Sequence, residues 1–126
     1  MAITALYAAL LTLLFITLSA NVVVKRRSHR VSLGDGGLPD MRHAIRAHGN
    51  FTEYAPLGLV ILALVELRGA PFWQIHGVGA ALLTGRLLHA YGLTRQQEVN
   101  APRVVGMVLT FTSLLVGTIC LLASLV

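Results

Sequence analysis

The chain has 126 residues, of which 56% are hydrophobic and 12% charged, and its mean hydropathy is +0.75. Soluble domains carry about 25% charged residues, so this composition excludes an ordinary water-soluble domain and fits a membrane protein in which four spans of ~20 residues occupy most of the length. The net charge of +5 comes from ten Lys and Arg against five Asp and Glu, and its distribution follows membrane topology rather than the pattern of a nucleic-acid binder.

Residues 2–24 carry no formal charge and are followed by Lys25-Arg26-Arg27. The run is too long for a signal-peptide core and lacks a small-residue cleavage site, so it reads as a retained first helix. Residues 28–40 form a loop broken by Gly34, Gly36, Gly37 and Pro39. Asp40 is the expected N-cap of a second helix over 41–65. That helix is polar as far as Glu53 and apolar from Tyr54, and Pro56 is expected to bend it near the junction. After a short turn, Pro71 suits the first position of a third helix over 71–91. Trp73 and Tyr91 lie near its ends, where amphipathic rings favour the interface. Gly77, Ala81 and Gly85 recur every four residues, a small-residue stripe that lets a neighbouring helix approach. Residues 92–100 make the last loop, in which Asn100 can cap and Pro102 can start a fourth helix over 101–122. The predicted architecture is all-α: one domain over residues 1–126, a polytopic bundle of four transmembrane helices.

Charge sets the predicted orientation. Lys25, Arg26, Arg27, Arg30, Arg42, Arg46, Arg86, Arg95 and Arg103, nine of the ten basic residues, fall at the ends joined by the first and third loops, and only Arg68 falls at the other. The positive-inside rule then places both basic loops in the cytoplasm and both termini outside it. Short loops and a compact design point to a bacterial inner membrane, with membrane lipids as neighbours. The single cysteine, Cys120, excludes an intramolecular disulfide and a CxxC pair, and the five histidines form no metal-ligand motif, so no metal is predicted.

Ionisable groups at membrane depth are costly and point to function. Arg46, Asn50 and Glu53 are spaced i, i+4, i+7 and share an arc of about 60° on one helix face, with Tyr54 beside them. A guanidinium, an amide, a carboxylate and a phenol can together hold a zwitterionic ligand. Arg86 and His89 lie one turn apart on the third helix, and Arg103 lies at the start of the fourth. A structural alternative stays open at this stage. Arg46 and Glu53 could pair to fix helix register, Arg86 could snorkel to headgroups, and His89 could be a hydrogen-bonded core residue.

The segment Arg46-Ala-His-Gly-Asn50-Phe-Thr-Glu53-Tyr54-Ala-Pro56 resembles the signature of the MAPEG family, the membrane-associated proteins of eicosanoid and glutathione metabolism. The Arg86-x-x-His89 pair is similar to the matching segment of its prostaglandin E synthase-type members. The resemblance implies a homotrimer of four-helix bundles that binds glutathione as co-substrate between subunits. It assigns Arg46, Asn50, Glu53, Tyr54, Arg86 and His89 to glutathione binding and Arg103 to stabilising the thiolate. Val104 follows Arg103 where the prostaglandin synthase type has a serine, and Leu93 stands one turn after His89 in place of a tyrosine.

The implied activity is that of a glutathione transferase or peroxidase acting on lipophilic electrophiles. A free thiol with pKa near 8.5 is only a few per cent ionised at pH 7, and lowering that value to about 6.5 needs about 2.7 kcal/mol, which one partly desolvated guanidinium contact can supply. The alternative is a non-enzymatic MAPEG-like membrane protein that binds a lipid or peptide. A small proton-coupled transporter of similar length is disfavoured, because its essential glutamate sits in the first span, where this chain has no acid.

Overall fold

The computed structural model describes residues 1–95 and 99–125. It contains four helices in chain order: α1 Ala2–His29, α2 Pro39–Leu67, α3 Phe72–Thr94 and α4 Ala101–Ala123. No strand occurs among the described residues. Gln96, Gln97 and Glu98 of the last predicted loop, and Val126, lie outside them. Three helices, α1, α2 and α4, are long and apolar enough to cross a membrane. Polar Gln74, His76, Arg86 and His89 dilute the apolar character of α3.

The helices run up and down. At one end of the bundle, the Ile3 and Thr4 amides donate to the Glu66 carboxylate at 3.1 and 2.7 Å, and Tyr7 Oη donates to the His76 carbonyl at 3.2 Å. Arg68 reaches Ser124 at the same end. At the opposite end, Lys25 Nζ and His29 Nε2 lie 3.0 and 2.9 Å from Asp40 Oδ2. Alternating short connections between antiparallel neighbours give this arrangement.

Several boundaries differ from those expected: α2, α3 and α4 run on to Leu67, Thr94 and Ala123, and three other ends have local causes. The first helix continues through the basic cluster to His29. Lys and Arg are good helix formers, and their charge complements the negative end of the helix dipole, so the end of the apolar run marks the membrane edge rather than the helix end. The helix stops at Arg30, which adopts a left-handed conformation, with the Val31 amide bonded back to the Arg26 carbonyl at 3.0 Å. Asp40 is not the N-cap of α2: Leu38 takes that place and Pro39 begins the helix. Proline has no N–H to satisfy in the first turn and its fixed φ suits helix entry, which leaves Asp40 to join α1 to α2. Pro71 caps α3 from an extended conformation, one residue before its expected position. The fourth helix begins as expected, with Asn100 Oδ1 accepting from the Arg103 amide at 3.1 Å. Through Pro56, α2 runs on unbroken.

The expected stripe is used only in part. Gly77 has no neighbour where a side chain would begin, whereas a Cβ on Gly85 would stand 2.7 Å from Thr110 Oγ1 and 2.9 Å from the Gly106 carbonyl. The backbones of α3 and α4 therefore meet at Gly85 and Gly106. On α4 the buried residues are Gly106, Thr110, Ser113 and Gly117, a stripe of small and hydroxyl side chains. Close approach of small residues is a main source of helix association where lipid is as apolar as leucine. The other side of α4 presents Val104, Val108, Phe111, Leu115, Ile119 and Leu122 outward.

Candidate functional site

Three of the predicted site residues form one contact network in the middle of the bundle. Arg86 on α3 is 1% exposed. Its Nη1 donates to Asn50 Oδ1 on α2 at 2.7 Å and approaches the Asn50 carbonyl at 3.4 Å. Its Nε and Nη2 donate to Thr110 Oγ1 on α4 at 3.0 and 2.7 Å, and Nη2 also lies 3.2 Å from Met107 Sδ. The Tyr54 ring stands 5.3 Å from the guanidinium carbon and packs edge-on against Phe111. One guanidinium thus ties three helices together.

This geometry decides between readings that sequence left open. Arg86 does not snorkel; it is held in the interior. Burying a cation is costly unless its donors are satisfied, and every nitrogen of this guanidinium has a partner. None of those partners is a carboxylate, so the hydrogen bonds satisfy the donors without cancelling the charge. Gly85 makes the arrangement possible, because a side chain there would push the Thr110 hydroxyl away.

The network also orients Asn50. Arginine has donors and no acceptor, so the amide oxygen must face it. The Asn50 NH2 group remains to serve another acceptor. Tyr54 is held beside it, half-buried.

Arg46 and Glu53 are placed differently. Both are exposed on α2, about 20° apart around the helix. No ion pair joins them among the described residues; the pairs there are Lys25–Asp40, His29–Asp40, Arg42–Asp35 and the N-terminus with Glu66. Glu53 sits at the midpoint of α2, flanked on the same face by exposed Leu57 and Val60. An apolar groove of about 220 Å³ between α1 and α2, lined by Leu11, Phe15, Phe51, Ala55, Pro56 and Leu59, runs along the neighbouring face.

His89 is 4% exposed, one turn beyond Arg86, with its backbone against Gly106. Arg103 stands half-buried at the head of α4, its backbone packed on Gly92. Thr110, Met107 and Phe111 belong to the network and were not singled out from sequence. The available signal was the Gly106, Thr110, Ser113, Gly117 spacing on α4, a polar stripe at helical period inside an apolar segment.

Comparison with known proteins bears on the whole chain. The model of the family described as "MAPEG family" matches residues 4–123. The chain is 42% identical over 113 residues to the inner membrane protein YecN of Escherichia coli K12, covering 90% of this chain and 85% of that protein. A YecN from an O6:H1 strain of the same species matches to the same extent.

Proposed function

Since the chain belongs to the MAPEG family, we propose that it is an inner-membrane glutathione-dependent transferase or peroxidase acting on lipophilic electrophiles, with glutathione held between neighbouring copies of the chain. Membership makes it a membrane protein of the family of glutathione and eicosanoid metabolism. The observation that carries the finer reading is Glu53: a carboxylate exposed at the midpoint of a membrane-crossing helix, in line with exposed Arg46. An ionised side chain facing lipid at that depth costs a few kcal/mol. A second copy of the chain and a zwitterionic ligand would cover both. The homotrimer that the family resemblance implies would provide that second copy, in a bundle that crosses the membrane four times with both termini outside the cytoplasm.

In this site Arg46 binds a ligand carboxylate and Glu53 accepts from the ligand ammonium or an amide. Asn50, locked by Arg86, donates from its free NH2, and Tyr54 closes the side of the site. Arg86 itself is a positioning residue, since its donors are taken inside the chain. His89, one turn beyond Arg86 on α3, borders the same ligand. Arg103 favours the thiolate over the thiol by placing positive charge at the sulfur. The thiol proton leaves to solvent, and a sulfur lone pair forms the new bond at the electrophilic atom of a substrate arriving from the bilayer. The leaving group departs with its bonding pair (an alkoxide when the O–O bond of a peroxide breaks), or the π pair of an activated alkene moves to the neighbouring carbon, and a solvent proton neutralises the anion formed.

A second reading is a MAPEG-fold protein that binds a ligand without turnover. It is favoured by Val104 directly after Arg103 and by buried Leu93 one turn after His89. Calorimetry on the purified protein separates these readings from a glutathione-free one. We expect glutathione to bind and Arg46→Ala to weaken it by at least tenfold; no binding to the unaltered protein refutes the proposal. Binding without product across a panel of electrophiles selects the second reading.

A further inference from the structure

The end of α1 carries more positive charge than the chain neutralises. Arg26, Arg27 and Arg30, with Val31 and Ser32, line a groove of about 310 Å³. The two carboxylates nearby are already engaged. Asp35 accepts from Arg42 Nε at 2.8 Å, and Asp40 serves Lys25 and His29. Arg26 gives one nitrogen to the Gly34 carbonyl at 3.0 Å, and none of the three groove arginines has a carboxylate partner among the described residues. Three guanidinium groups on one turn of helix, without counter-ions, repel one another.

Two further observations point to what neutralises them. Arg30 holds a left-handed backbone, φ 55°, at a helix end where glycine is the stable choice. An arginine there costs on the order of 1 kcal/mol over glycine, so stability does not account for its presence. Leu33, three residues on, is 87% exposed at the loop tip. A bare leucine directly after the groove-lining Ser32, past the end of a membrane-crossing helix, matches the headgroup region of a bilayer, where phosphates and the first methylenes of the acyl chains lie together.

We infer that the groove formed by Arg26, Arg27 and Arg30 binds the phosphate of an anionic phospholipid headgroup, with Leu33 inserted among the acyl chains beside it. Guanidinium groups suit phosphate because they donate in a planar fork. The site is separate from the α2 face and stands on α1 being a membrane span, not on the glutathione reading. It would anchor the first loop to the leaflet surface and set the depth of α1.

The test uses the full-length protein, delipidated in detergent and titrated with phosphatidylglycerol, phosphatidylcholine or inorganic phosphate, with bound lipid counted by native mass spectrometry. We expect phosphatidylglycerol to be retained in preference to phosphatidylcholine. Each basic residue near a lipid surface is worth about a fivefold change in affinity, so Arg27→Gln with Arg30→Gly should weaken phosphatidylglycerol about 25-fold. Arg30→Gly suits the left-handed backbone, so thermal stability should hold or rise, which separates lost binding from lost folding. Leu33→Ser keeps the charge and should lower retention at least threefold through lost apolar burial. Equal retention of the two lipids, or an unchanged double variant, overturns the inference. Displacement of the lipid by inorganic phosphate at equal concentration, with Leu33→Ser silent, assigns the groove to a free anion and overturns it as well.

Discussion

Thr110 is fully buried, and its hydroxyl oxygen accepts from both Nε and Nη2 of Arg86 while donating to the Gly106 carbonyl at 2.8 Å. Thr110→Val keeps the shape and removes the oxygen. Two guanidinium N–H groups then lose their acceptor, and only Met107 Sδ stays near Nη2. Hydrogen bonds to charged groups contribute about 1.5 kcal/mol each at the low end, whereas interhelical bonds in membranes average about 0.6 kcal/mol. Two bonds therefore bracket the cost at about 1–3 kcal/mol. Thermal unfolding in detergent, followed by circular dichroism, should show a lower midpoint for Thr110→Val and near-normal behaviour for Thr110→Ser. A double-mutant cycle with Arg86→Met isolates the pair, because the valine costs little once the guanidinium is gone. A coupling energy within error of zero would refute the argument that Thr110 and Arg86 form one unit. A valine variant as stable as the parent would refute it more directly.

Three further outcomes follow from the same structure. Arg103→Ala should leave assembly intact but abolish the ultraviolet thiolate signal on adding glutathione; an unchanged signal removes Arg103 from that role. Gly106→Ala places a methyl group 2.7 Å from the Gly85 carbonyl, and since backbone cannot rotate aside, the overpacking should cost about 1–3 kcal/mol, read as a lower unfolding midpoint. The Arg42 hydrogen bond, with help from the Gly37 amide, holds the Asp35 carboxyl below the usual aspartate range. A depressed folded value means that the contact supports the loop above the unfolded pKa and is lost as pH falls through the folded one, below about pH 4. A carbon-detected titration of Asp35 should give a low midpoint, and Arg42→Gln should raise it towards the ordinary value while the Gly37 amide keeps part of the lowering.

The helices were legible because an apolar run needs no tertiary context to announce a membrane span. Their ends were less so. His29 and Pro39 lie outside the apolar runs, where helix continuation depends on capping and charge rather than on hydropathy. The Arg46–Glu53 face could be placed on one side of α2 by spacing alone, but spacing could not say that Asn50 turns inward while Arg46 and Glu53 stay exposed. That division is set by where α3 and α4 stand. Arg86 illustrates the limit best. An arginine near a helix end reads equally as a headgroup contact or a ligand, and its burial became visible only with the Thr110 hydroxyl across from it on α4. A threonine in an apolar helix is unremarkable one residue at a time. It gains meaning only from the Gly106 and Ser113 positions that share its side.

The Glu66 contact has a consequence for how the chain is built. The carboxylate at the end of α2 receives amides from the first turn of α1, across 62 and 63 residues of sequence. Although α1 precedes α2 in the chain, the carboxylate that satisfies its leading turn lies only one residue before the end of the second helix. The first turn of α1 is thus closed by its own hairpin partner. The two helices are thereby fixed as a matched pair, with the end of the second acting as a latch on the beginning of the first.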